Sequence, residues 1–170
     1  GRRRAFLARI GPGDSDMRGA VLSGERTDYM QARTEAVTKL QQACTRGGAE
    51  CLRLLEDAPE VLQTWLASEG WLLERYRQLL QRGQWQEVVP ANPAALPAYH
   101  HLTGAQHLYL LEVWQQARRG DALAVRDRLQ RDLQFWRMVL RSSRTLLTKM
   151  IAVAAIDRNF LIGHLSLQAL

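Results

Sequence analysis

Two cysteines, four histidines and a few charged residues on helical faces are the groups in this chain whose spacing could organise chemistry. Cys44 and Cys51 enclose six residues that include Gly47-Gly48. A tight turn there can bring two Cα atoms to the roughly 5.5 Å that a disulfide requires. The spacing matches neither a Cys-x-x-Cys motif nor a zinc site. The competing reading is a pair of small buried hydrophobes in a reducing cytoplasm, whereas a disulfide would place the chain in an oxidising compartment. The turn between the cysteines favours the bond. His100, His101, His107 and His164 lack the three- or four-residue helical spacing that lets two imidazoles meet at one ion. His100 and His107 share a face but stand about 10 Å apart along it. No metal or other cofactor is expected, and no nucleophile-and-base motif occurs.

Charged residues give two further candidates. Arg126, Arg137, Arg141 and Arg144 project within about 60° of one another on a helix turning 100° per residue. This one-sided basic stripe borders Val125, Leu129, Trp136 and Leu140, with Asp121, Asp127 and Asp132 diluting its charge. A nucleic-acid or anionic-lipid surface has this form. So does a solvated rim whose arginines bury their stems beside the core, with Trp136 packed inward rather than stacking on bases. Asp157 and His164 fall on the apolar side of the last helix, in line with Leu146 and Met150. They are the buried polar candidates, with Asp157 expected to be held by a basic or hydrogen-bonding group from another helix.

The elements that must position these groups are all helical. No strand-like alternation occurs, so the fold class is all-α, an irregular bundle of about five to seven helices. Residues 1–26, with Gly11-Pro12-Gly13, form an irregular lead-in; residues 27–170 form one domain. Its front helices span 27–83, a proline-rich loop spans 84–97, and its back helices span 98–170. Thr27 or Asp28 caps the first helix, which buries Met30, Val37, Leu40 and Cys44. A short helix from Ala49 to Glu56 follows, then Asp57 caps another opened by Pro59. Gly70 bends or breaks that helix before Leu72, Leu73, Tyr76, Leu79 and Leu80 continue the stripe. A further helix runs from Ala98 or Leu102 to Arg119. Gly120 ends it, Asp121 caps the next, and Ser142-Ser143, either serine able to cap a new start, breaks what would otherwise be a helix of some 70 Å. From Leu146 to Leu167 apolar residues cover most of the circumference. Thr148, Ala152, Asn159, Gly163 and Ser166 form a narrow, weakly polar strip, and the sequence predicts a central or partner-covered helix.

The 170 residues are enough for one buried core, and 46% hydrophobic content separates the chain from disordered sequences. Of its 23 basic residues only Lys39 and Lys149 are lysine, a skew that suits a GC-rich bacterial coding sequence. The net charge of +6 permits anionic partners without requiring them. No secretory signal is visible, and no run of about twenty uncharged apolar residues suggests a membrane span. The chain begins at Gly1, so an upstream signal or anchor is conceivable.

The stretch from Leu108 through Arg118-Arg119-Gly120-Asp121 to Leu133 resembles one tetratricopeptide-type helical hairpin. Phe135-Trp136-Arg137 through Ser143 to Ala155 resembles a group of uncharacterised proteobacterial proteins. That resemblance implies an N-terminal hydrophobic anchor and a helical domain outside the cytoplasmic membrane; it carries no activity and no site residues. The expectation is a non-catalytic helical binding or scaffolding domain of a bacterial envelope protein, with another protein as partner. Three alternatives stay open. One is an enzyme or small-ligand binder whose inter-helix pocket joins Asp157, His164, His107 and Tyr109. Another is nucleic-acid binding through the arginine stripe. The third is a cytoplasmic location.

Overall fold

Apolar residues at three- and four-residue spacing set the helices, and the computed structural model, which describes residues 34–46, 48–87 and 99–170, contains seven of them among those residues. These are α1 (Glu35–Arg46), α2 (Ala49–Asp57), α3 (Pro59–Ser68), α4 (Gly70–Leu80), α5 (Tyr99–Ala117), α6 (Ala122–Ser142) and α7 (Leu146–Gln168). They belong to one all-α unit formed by Thr34–Val89 and Pro97–Leu170. The expected lead-in, the Thr27 or Asp28 cap, Met30 and most of the 84–97 loop lie outside the described residues.

Local signals act largely where the sequence places them. Val37, Leu40 and Cys44 are buried on α1. Gly48 turns the chain with φ 86°, a left-handed conformation that suits glycine. The Cys44 and Cys51 sulfurs on either side lie at disulfide distance, 2.06 Å, with Cα atoms 4.6 Å apart. Asp57, expected as a cap, is instead the last residue of α2 and pairs with Arg53 at 3.7 Å. Ala58 occupies the α3 N-cap and, having no side-chain acceptor, makes no cap bond, while Pro59 in the first turn removes one of the N–H groups left without an intrahelical partner. The break near Gly70 falls at Glu69, whose carboxylate accepts from Trp65 Nε1 at 3.1 Å.

Helix α5 occupies the centre. Every residue from Ala105 to Leu111 is buried, and α5 packs against α3, α4, α6 and α7. Gly120, at φ 78°, closes the α5–α6 hairpin, and Asp121 caps α6 by accepting from Ala124 N at 3.1 Å. The chain does break at Ser142-Ser143, but neither serine caps α7. Ser143 Oγ donates back to Val139 O at 2.6 Å, and Thr145 is the cap, accepting from Thr148 N at 3.2 Å. One apolar cluster joins α1–α5 with the start of α6 and the end of α7. A second, with Phe135, Trp136, Val139, Ala152 and Ala155, lies between α6 and α7.

Candidate functional site

Four helices meet at Asp132. This α6 carboxylate is fully buried and accepts from the Tyr76 hydroxyl of α4 through Oδ1. Its Oδ2 accepts from Gln106 Nε2 of α5 and from Asn159 Nδ2 of α7, each at 2.9 Å. Each amide also donates to a backbone carbonyl, Gln106 to Ala155 at 2.8 Å and Asn159 to Leu129 at 3.1 Å. Trp136 Nε1 donates to the Tyr76 oxygen at 2.9 Å. Arg158 donates to Gln106 Oε1 at 3.2 Å and to Thr103 O at 3.3 Å, so its guanidinium is linked to Asp132 through one amide.

Burial dominates the electrostatics here. It raises the Asp132 pKa above the usual carboxylate range, against the opposing hydrogen bonds from Tyr76, Gln106 and Asn159. Burial also holds the Tyr76 hydroxyl well above its ordinary value, helped by the adjacent carboxylate. Burial pulls the Arg158 guanidinium down, with the Tyr76 and Asp132 charges acting the other way. A perturbed carboxylate beside a tyrosine is a common acid–base pair. Catalysis, however, needs room for a reacting molecule, and Tyr76, Gln106, Asp132, Trp136 and Asn159 are each at most 4% exposed. Their donors are spent on one another and on the Ala155 and Leu129 carbonyls. Such a network fixes how four helices seat together.

Two glutamates extend the scaffold. Glu112 of α5 accepts from Arg77 at 2.5 Å and from Arg128 at 2.6 Å, joining α4 and α6. Glu87, from the segment after α4, accepts from the N–H groups of Arg144 and Thr145 at 2.5 and 3.0 Å. It also accepts from the hydroxyls of Thr145 and Thr148. Desolvation alone would raise the Glu87 pKa, but these four bonds prevail and lower it to about 2. The α7 N-terminus is thus anchored by a carboxylate that also suits the helix dipole.

That anchoring defines the outer surface of α7. Its small and polar strip turns inward: Thr148, Ala152, Ala155, Asn159, Ile162, Gly163 and Ser166 are buried. At Gly163 a Cβ would meet Leu129 Cδ1 at 3.4 Å, so the glycine permits close approach to α6. The apolar side faces water. Leu146 is 74% exposed, Met150 61%, Val153 55%, Phe160 60% and Leu167 64%. The expectation of a buried Asp157 and His164 is therefore corrected: both are exposed in this face, and α5 rather than the last helix is central. Hydrophobicity nearly all round left the choice of face to shape and hydrogen bonding. By length and composition α7 is also apolar enough to cross a membrane, where the sequence suggested no such run.

The other candidates do not converge. His107 is buried edge-on against Trp65, with ring centroids 5.7 Å apart, and the Tyr109 hydroxyl donates to Arg128 O at 3.2 Å. Neither joins Asp157 or His164, which face outward. Arg126, Arg137, Arg141 and Arg144 are exposed, while Trp136 is 1% exposed, inside the core. Among the described residues, a cavity of about 180 Å³ lies between α2, α3 and the end of α5, lined by Leu55, Pro59, Leu62, Trp114 and Arg118. That is below the roughly 300 Å³ of ordinary small-ligand pockets. No group of three or more potential metal ligands occurs among these residues. Sequence reasoning missed the Asp132 network and Glu87. Asp132 reads as a surface acid diluting a basic stripe, and no periodicity marks Glu87. A comparison with protein-family models, curated proteins and solved structures finds no match to this chain.

Proposed function

We propose that this chain is a non-catalytic helical binding or scaffolding domain of a bacterial envelope protein, and that the outer face of α7 is its docking surface. The observation that carries this reading is the row of large apolar side chains from Leu146 to Leu167 left in water on a helix anchored along its other side. A contiguous apolar patch of this kind marks an interaction surface. The enclosed Asp132 network supplies the rigid backing such a surface requires. Cysteines at disulfide distance support an extracytoplasmic location. The likeness of Leu108–Leu133 to a tetratricopeptide hairpin and of Phe135–Ala155 to envelope proteins is part of the same proposal.

A membrane-spanning α7 is the second reading, favoured by its length and composition. Asp157 and Arg158 near its middle oppose it, since a charge at the bilayer centre costs about 3 kcal/mol on insertion scales. A photo-reactive amino acid placed at Phe160 tests the docking surface, with one at Leu123, an exposed leucine of α6, as control. The expected result in the producing cell is a discrete protein adduct at position 160 and none at 123. Equal labelling at the two positions, or none at 160, would overturn the proposal.

A further inference from the structure

The exposed residues of α7 do not form a random apolar patch. Leu146, Met150, Val153, Asp157, Phe160, His164 and Leu167 alternate at spacings of four and three, and all seven are exposed. This is the 3.5-residue repeat of a coiled-coil seam, unpartnered for three heptads. One set of positions, Leu146, Val153, Phe160 and Leu167, is wholly apolar. The other holds Met150, Asp157 and His164. Polar residues at such core positions specify register and orientation.

We infer that α7 pairs with α7 of a second copy of this chain, antiparallel about a two-fold axis, so that Asp157 of each copy meets His164 of the other. The inference rests on the reading of this face as a docking surface and names its occupant. Three observations carry it. The first is self-complementarity. In an antiparallel register centred between Arg158 and Asn159, Met150 packs against Leu167 of the second copy, Val153 against His164, and Asp157 against Phe160, with Leu146 just outside the overlap. The two-fold axis repeats the three layers, as an isologous interface requires. Every layer then contains at least one large apolar residue.

The second observation is charge. In that register Asp157 and His164 of the second copy lie in adjacent layers, about 6 Å apart along the axis, where an imidazole N–H can donate to the carboxylate. A parallel pairing would set Asp157 against Asp157 and His164 against His164. The third is exposure: within the overlap Met150, Val153, Phe160 and Leu167 leave 61%, 55%, 60% and 64% of their surfaces in water, and pairing removes this apolar area. A flat membrane surface would bury the same side chains but leave Asp157 and His164 unmatched in its middle.

The test uses the whole chain with its cysteine pair intact. Light scattering across a concentration series should show a dimer, and Phe160→Asp should leave a folded monomer, checked by circular dichroism and melting. Asp157→His and His164→Asp should each weaken dimerisation at least about tenfold, and the double exchange should restore it, because only antiparallel pairing keeps the opposite groups together. A nitroxide at Gln168→Cys should give a spin–spin distance of about 30 Å across the antiparallel dimer; a distance near 10 Å would reveal a parallel one and overturn the inference. A monomer at about 100 µM would also overturn it. If that monomer still gives the Phe160 cross-link to another protein, the docking surface stands and only its occupant is wrong. If it instead binds anionic vesicles through Phe160, both the dimer and the protein partner fail.

Discussion

Truncation of Asp132 is the sharpest probe of what holds the four helices in register. Asp132→Ala removes the acceptor shared by Tyr76, Gln106 and Asn159. The two amides keep their backbone carbonyls at Ala155 and Leu129, so each loses one of two bonds, whereas the Tyr76 proton loses its acceptor. Each unsatisfied buried donor costs about 1–3 kcal/mol, offset in part by removing a buried carboxylate. A net loss of about 3–5 kcal/mol is expected. Asp132→Asn retains an oxygen for Gln106 and Asn159 but turns an N–H toward Tyr76, whose oxygen already accepts from Trp136, so one donor is stranded and the loss is about 1–3 kcal/mol. The pH dependence has a definite sign. Because burial raises the folded pKa of Asp132, the native state binds its proton more readily than the unfolded chain above the ordinary value of 3.8. Its contribution is then fullest below that value and is lost as pH rises through the folded pKa. The stability gap between the parent and Asp132→Asn should widen as the solution is acidified from about pH 7 toward pH 4. Urea unfolding at several pH values measures all three quantities. Equal losses for the two variants, or losses under about 0.5 kcal/mol, would show that the network does not hold the bundle together.

Other perturbations address the remaining devices. Intact protein isolated without reductant should weigh two hydrogens less than the dithiol form, and reduction should cost about 2.5 kcal/mol on the chain-entropy estimate for so short a loop; two freely alkylated thiols would contradict both. Gly120→Val should destabilise by more than about 1 kcal/mol because φ 78° suits glycine, and Asp121→Ala should cost about 1 kcal/mol through the lost cap, both read from thermal melts. Glu87 has a folded pKa of about 2 against an ordinary 4.5, so its stabilisation is full above 4.5 and lost as pH falls toward 2. Glu87→Gln should flatten that acid limb of the unfolding curve and speed amide exchange at the start of α7; an unchanged limb would assign the acid sensitivity elsewhere.

The sequence by itself determined what depends on local conformation. Helical periodicity, the left-handed glycines at Gly48 and Gly120, the Asp121 cap and the cysteine pair bracketing a turn are nearest-neighbour effects, and each is written in a few consecutive residues. Local pattern failed where two solutions were locally equivalent. Asp57 could begin one helix or end another, and Pro59 settled the matter by opening α3 without a side-chain cap. Helix α7 is apolar almost all round, so periodicity could not choose which side packs. Tertiary structure chose the small strip, because Ala152, Ala155 and Gly163 let the backbone approach α6 while Asn159 finds Asp132 and Thr148 finds Glu87. The larger side chains were left outside, carrying Asp157 and His164 with them. Asp132 likewise became a buried junction only because Tyr76, Gln106 and Asn159, separated by up to 83 residues, reach one point. Hydrogen bonds across such separations depend on where whole helices sit, which no local window of sequence encodes.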